Sequence, residues 1–169
     1  DPLDIIKEYG TDALRYTLVT ATALGQDIFL SEERFAVGRN FANKLWNATR
    51  FTIAQQTHEG VPKAPAGQSP APDTVADRWI LSRLQQTIER VTSSLEAFLL
   101  NDAVNALYDF IWHDLCDWYI EIAKIQLTQA KSRAGTFAVM AHVLEVSVRS
   151  LHPIMPFVTE ELWQHVKHD

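Results

Sequence analysis

The chain has 169 residues and a formal net charge of −6, which fits one globular domain or one domain with a small appendage; at 19.2 kDa about 70% of the unfolded surface can be buried without covalent staples. Hydrophobic residues at 47% and charged residues at 21% exclude a disordered tail, no run approaches the ~18 apolar residues of a membrane helix, and Asp1-Pro2-Leu3-Asp4 lacks the start of a signal peptide. The lone Cys116 excludes an intrachain disulfide or a multi-cysteine metal cluster and points to a reducing, cytoplasmic setting.

In chain order, Pro2 and Asp4 predict a short helix over Ile5–Tyr9 that Gly10 stops. Thr11 is the expected cap of a second helix, with Asp12 in its first turn, that runs through Leu14, Tyr16, Leu18 and Val19 until Gly25. Gln26–Leu30 reads as extended or loop, and Ser31 with Glu32 and Glu33 signals a new start. Helical periodicity then runs from about Arg34 to Gln56. Residues 57–73 carry four prolines and two glycines, the mark of an exposed loop or linker. Asp73 or Thr74 caps a helix from about Val75 to Leu99, with Val75, Trp79, Leu81, Leu84, Ile88, Val91 and Leu95 as its apolar stripe. Asn101 or Asp102 opens another, with Val104, Leu107, Ile111, Leu115, Trp118 and Ile122 facing inward. After a break near Lys131–Gly135 a helix spans about Thr136 to Ser150. His152, Pro153 and Pro156 interrupt the chain, and Thr159 is the expected cap of a last helix. Four long amphipathic helices with mostly short connections predict an all-α antiparallel bundle over residues 34–169, preceded by a short helical linking segment over 1–33.

The charge is unevenly spread. Residues 34–57 hold Arg34, Arg39, Lys44 and Arg50 and no acid, a local +4, while each flank sums to −5. Neutralising phosphates needs local positive charge, not a basic total. On a helical wheel from Arg39, the residues Arg39, Arg50, Asn43, Asn47, Asn40 and Lys44 share one arc of about 140°. The opposite arc holds Phe41, Leu45, Ala48 and Thr49, with Trp46 at its edge. Phe51 alone breaks the division, near about 120° beside Asn40 and Lys44. Unpaired bases stack on aromatic rings, Asn offers a donor and an acceptor to base edges, and Lys and Arg meet phosphates. The competing expectation is that Phe51 packs beneath the proline-rich loop that follows it.

Other constellations point to structure. Asp114, Asp117 and Glu121, near His113, have a spacing that could hold a divalent cation. Lys124 continues their stripe, and Arg78 and Arg83 lie on the preceding helix, so ion pairing is expected and no metal site is assigned. Asp12 and Arg15 are read as an ion pair, Cys116 as a small packed residue, and Trp46, Trp79, Trp112, Trp118 and Trp163 as core. No Gly-rich phosphate loop, nucleophile elbow or Walker motif is present in the sequence. A helical protein–protein interaction module would explain the acidic bundle but not the acid-free stretch. A di-carboxylate enzyme would need Glu-x-x-His motifs, which are missing.

The string RNFANKLWNATRF (Arg39 to Phe51) resembles the start of the anticodon-binding bundle of the valyl-tRNA synthetases. DPLDIIKEYGTDALRYTL (Asp1 to Leu18) is similar to the segment after the KMSKS loop of class I synthetases, and GQDIFLSEER (Gly25 to Arg34) to the connection into the bundle. DRWILSRL (Asp77 to Leu84), DFIWHDLCDWYIEIAK (Asp109 to Lys124) and LHPIMPFVTEELWQ (Leu151 to Gln164) resemble the later bundle helices. The resemblance covers essentially the whole chain. It implies a tRNA-binding, non-catalytic part of a valine-tRNA ligase, since the HIGH motif, the KMSKS lysines and the editing domain have no counterpart here. ATP with magnesium would serve the full-length enzyme, and no cofactor is expected in this part. The implied partners are valine tRNA, whose anticodons end in A and C, and the catalytic and editing domains of the same enzyme. The chain is expected to be monomeric. The implied tRNA contacts are Arg39, Asn40, Asn43, Lys44, Asn47, Arg50 and Phe51, with Arg34 at the helix entry beside the unfavourable Glu33.

Overall fold

The structure, a computed structural model, describes residues 1–22, 30–56 and 70–166, and every regular element among them is helical. They are α1 (Pro2–Tyr9), α2 (Thr11–Ala21), α3 (Glu32–Gln56), α4 (Val75–Glu96), α5 (Leu100–Asp109), a π-helical stretch (Phe110–Tyr119), α6 (Ile120–Gln126), α7 (Arg133–Leu151) and α8 (Pro156–Val166). α5, the π-helical stretch and α6 run on without interruption as one rod. Short turns join α4 to this rod, the rod to α7, and α7 to α8, which makes neighbours antiparallel. The expected helix stop at Gly25, the extended reading of 26–29 and the loop over 57–69 lie outside the described residues.

The core sits where α3, α4, the rod, α7 and α8 converge, around Phe41, Leu45, Ile80, Leu115, Met140 and Leu162. Fully burying a side chain of this kind contributes about 1.5–3 kcal/mol. α2 joins the same core: the Tyr16 ring meets Phe41 with centroids 5.4 Å apart. α2 and α3 approach closely because Gly38 has no side chain; a Cβ there would stand 2.9 Å from the Ala13 carbonyl oxygen.

Several expectations are corrected. Thr11 is the first residue of α2 rather than its cap; Gly10, at φ 92°, makes the turn between α1 and α2, a backbone region open to glycine. Asp12 and Arg15, expected to pair with each other, grip the α7–α8 corner instead. Arg15 donates from Nε to the Ile154 carbonyl and from Nη2 to the Pro153 carbonyl, both at 2.9 Å. Asp12 accepts from the backbone N–H groups of Phe157 at 3.3 Å and Val158 at 2.6 Å. A carboxylate from another helix therefore caps the start of α8, which begins at Pro156, not at Thr159. Thr159 is buried, and its hydroxyl donates to the Met155 carbonyl at 2.7 Å.

On α4 the buried side is Asp77, Ile80, Leu84, Thr87, Val91 and Ser94, while Val75 and Leu95 are exposed. The helix ends at Glu96, short of the expected Leu99. On the rod, Trp118 is 64% exposed and Tyr119 takes the core position. The cause is the π-helical stretch. Its i→i+5 hydrogen bonding widens each turn, so Ile111, Leu115, Tyr119 and Ala123 line up inward at intervals of four.

A polar seam ties α4 to the rod. Thr74 and Asp77 form a reciprocal cap: Asp77 N–H donates to Thr74 Oγ1 at 3.1 Å, and Thr74 N–H to Asp77 Oδ2 at 3.0 Å. The Tyr119 hydroxyl donates to Asp77 Oδ1 at 2.7 Å. Burial first, then the charge of Asp77, pushes the phenol of Tyr119 far above its ordinary range, so it stays a donor.

Candidate nucleic-acid interface

α3 is long because its inward residues repeat at helical spacing, with Phe35, Gly38, Phe41, Leu45, Ala48, Thr49 and Thr52 buried. The same repeat leaves Arg39, Asn40, Asn43, Asn47 and Arg50 exposed along one ridge. Arg34 is exposed but not on that ridge; at 100° per residue it lies about 140° from Arg39, and its carbonyl accepts the Thr17 hydroxyl at 3.1 Å.

Grooves flank the ridge. One of about 210 Å³ lies between α3 and the rod, lined by Lys44, Asn47, Ala48, Phe51, Cys116, Ile120 and Lys124. Phe51 is half-buried: it rests against the core and also forms a wall of this groove, and the proline-rich loop expected to lie over it is outside the described residues. Lys124 Nζ stands 5.7 Å from the centre of the Phe51 ring. Cys116 packs at the groove as a small side chain, and burial pushes its thiol up to about 12, against the lowering effect of Lys44. On the other side, Trp46, expected in the core, is 37% exposed. With Arg50, Ile53, Leu162 and His165 it lines a groove of about 400 Å³ against α8. Towards the start of α3, the Arg39 guanidinium lies over the Tyr9 ring at 5.1 Å, and Arg39 and Asn43 line a recess shared with Phe157.

Lys44 is held differently from its neighbours. Its Nζ is 2.5 Å from Asp117 Oδ1 and 4.0 Å from the centre of the Trp112 ring. Trp112 in turn stacks on Tyr108, centroids 5.3 Å apart, which meets Phe41 at 5.0 Å. The Lys44 hydrogen bond holds the Asp117 carboxyl below the usual carboxylate range, opposed by partial burial and aided by His113, whose Nδ1 lies 3.2 Å from Oδ2. The three acids once read as a stripe thus take three different cations. Asp114 pairs with Arg83 at 2.8 Å, Asp117 with Lys44, and Glu121 with Lys124 at 2.6 Å. Among the described residues no cluster of three metal-ligating side chains occurs.

Residues 77–169 match the family profile described as the anticodon-binding domain of tRNA ligase. The chain belongs to that family. Over its full length it is 47% identical to a valine–tRNA ligase of Geobacillus kaustophilus and 46% identical to that of Geobacillus stearothermophilus. It spans 19% of the length of each. The fold recurs in Mycobacterium tuberculosis methionyl-tRNA synthetase in complex with methionyl-adenylate, with a TM-score of 0.76 and 22% identity over 96% of this chain and 33% of that one. It recurs in the LeuRS of the Agrobacterium radiobacter K84 agnB2 LeuRS-tRNA-LeuAMS complex, with a TM-score of 0.70 and 22% identity over 100% of this chain and 19% of that one. The family match begins on α4, so the α3 ridge is covered by the similarity to the valine ligases rather than by the profile.

Sequence reasoning missed Trp112, Asp117 and Lys124 as neighbours of the ridge. The i, i+4 spacing of His113 and Asp117 was visible. Their approach to α3 depends on packing between helices and on the wider π turn, which leaves no local mark.

Proposed function

We propose that the chain recognises the anticodon stem-loop of tRNA as part of a valine–tRNA ligase, and that it does so by binding and not by catalysis. The observation that carries this is the exposed ridge of Arg39, Asn40, Asn43, Asn47 and Arg50 running beside a groove walled by Phe51, in a member of the anticodon-binding family. Arg39 and Arg50 meet backbone phosphates, the three asparagines meet base edges, and Phe51 offers a stacking face. Lys44 contributes when it leaves Asp117, and Arg34 reaches only phosphate outside the ridge.

Residues 1–33 tie the bundle of 34–169 to the rest of the ligase. ATP and magnesium act in valine activation elsewhere in that enzyme, where the missing sequence motifs would lie. The domain works as a monomer in the cytoplasm, with valine tRNA as its ligand. No helix among the described residues is long and apolar enough to cross a membrane.

The test is a salt series of binding to valine tRNA, to a copy with altered anticodon and to an unrelated tRNA. Valine tRNA is expected to bind best. Phe51→Ala is expected to weaken that binding by about fivefold to a hundredfold, the worth of one stacked base. Equal binding of all three RNAs, unmoved by Phe51→Ala, overturns anticodon readout by this ridge. Salt-independent capture of a protein with no RNA affinity would instead favour the interaction module.

A further inference from the structure

Resting on the anticodon-loop reading above, we propose that the groove between α3 and α8 is a second base-binding site for single-stranded RNA, in which the ring of Trp46 stacks on an unpaired loop base and Arg50 meets the adjoining phosphate. Trp46 and Phe51 are five residues apart on α3, which places them about 140° apart around the helix and ~7.5 Å apart along it. Arg39, Arg50, Asn43 and Asn47 fall between them on the wheel. The ridge therefore carries an aromatic ring on each shoulder, and a loop that straddles it meets both. Loop bases can be splayed out to either side in this way.

The lining identifies the occupant. Ile53 and Leu162 continue the apolar wall that Trp46 begins, around a space of about 400 Å³, within the ~300–1,000 Å³ of ordinary ligand sites. Arg50 belongs to the ridge and also to this lining, so the groove is continuous with the face assigned to RNA. Among the described residues no carboxylate lines the groove or pairs with Arg50. Glu161 faces His165 at 3.6 Å instead. By contrast, the recess near Arg39 includes Asp12, and the one between α7 and α8 includes Glu160. A flat apolar ring beside an unpaired guanidinium matches RNA, each nucleotide of which brings a flat base and a negative charge. An apolar protein segment would fill the space and leave Arg50 without a counter-charge. No amide side chain lines the groove, and the Thr49 hydroxyl is already donated to the Leu45 carbonyl at 2.9 Å. The site thus holds a base by its face rather than its edge. It adds affinity for loops of any sequence, while base identity is read on the ridge.

The rival roles for Trp46 are a packing contact between α3 and α8 and a surface that another protein segment covers. They are separated from RNA binding with Trp46→Ala, Trp46→Phe and the double variant W46A/F51A of the full chain. Binding is measured by fluorescence anisotropy over a salt series, to a stem-loop with a valine anticodon and to the same stem-loop with a changed anticodon. Trp46→Ala is expected to weaken both by a similar factor, about fivefold to a hundredfold, the worth of one stacked base. Its salt slope stays that of the parent, because a lost stacking contact releases no counterions. Trp46→Phe keeps a ring and restores most of the affinity. The double variant loses the product of the two single factors, as separate sites do. A 5-bromouridine placed singly at each loop position and irradiated is expected to crosslink to Trp46 from one position and to Phe51 from another, as peptide mapping reads.

Parent-like binding by Trp46→Ala, a double variant no weaker than Phe51→Ala alone, or a crosslink map without Trp46 overturns the proposal. The crosslink map uses the unaltered ring, so it decides the matter even where Trp46→Ala melts below the parent. The two readings fail separately. If the parent binds both stem-loops equally and Phe51→Ala changes nothing, the anticodon reading falls. If Phe51→Ala weakens binding and Trp46→Ala does not, that reading stands and the second site falls.

Discussion

Asp77 and Asp117 each join two helices through a carboxylate, and their surroundings give them opposite tasks. Asp77 is completely buried and accepts from the Thr74 N–H and the Tyr119 hydroxyl, both fixed by the fold. Asp117 stands half-exposed at a groove, with Lys44 and His113 as partners that water and ligands can reach. Removing a buried acceptor strands its donors away from water, whereas removing an exposed one lets water replace it. The difference teaches that a carboxylate's role follows from its access to solvent, not from the number of partners it has.

The widest break in this comparison is Asp77→Ala. It leaves the Tyr119 hydroxyl only the Thr136 carbonyl at 3.4 Å and undoes the cap of α4, and is expected to cost about 3 kcal/mol in urea unfolding. RNA affinity of the folded fraction should be unchanged. Tyr119→Phe removes one of the donors and keeps the ring, with an expected loss of about 1.5–3 kcal/mol. Asp117→Asn is expected to change stability by only about 0–1 kcal/mol. Its signature is pH dependence. Because Lys44 holds the folded pKa below the unfolded one, the pair's contribution is full above the ordinary carboxylate range and is lost as pH falls through the lower folded value. Acid titration of unfolding should show this loss in the parent and not in the variant.

The smallest effect belongs to His142, half-buried on α7, where burial lowers the imidazole pKa against the raising effect of Glu145. The unfolded chain then binds its proton at higher pH than the folded one. Stability should fall slightly as pH drops through the ordinary imidazole range and below, and His142→Gln should flatten that slope.

Much of the fold is written in local chemistry. Gly10, Thr74 and Pro156 mark helix boundaries because each has a backbone or capping preference that acts without tertiary help. The exposed ridge of α3 was legible for a similar reason, since one helix's periodicity fixes which residues share a face. What was not legible depends on partners far away in sequence. Trp118 and Tyr119 exchange places because the rod adopts a π pitch that a period of 3.6 does not describe. Thr159 looks like a cap, but Asp12 supplies the cap from α2. Lys44 looks free on a wheel, and only the packing of α3 on the rod brings Asp117 to it.

The grip of Arg15 and Asp12 on the α7–α8 corner joins residues 138 to 146 positions apart. During synthesis the chain emerges from its N-terminal end, so α2 must wait for nearly the whole sequence before it meets these partners. Contacts of such separation carry a large loop-closure cost and form late. Until then the start of α8 lacks its cap. The nascent protein therefore passes through a stage in which α2 is not yet fixed to the α7–α8 corner.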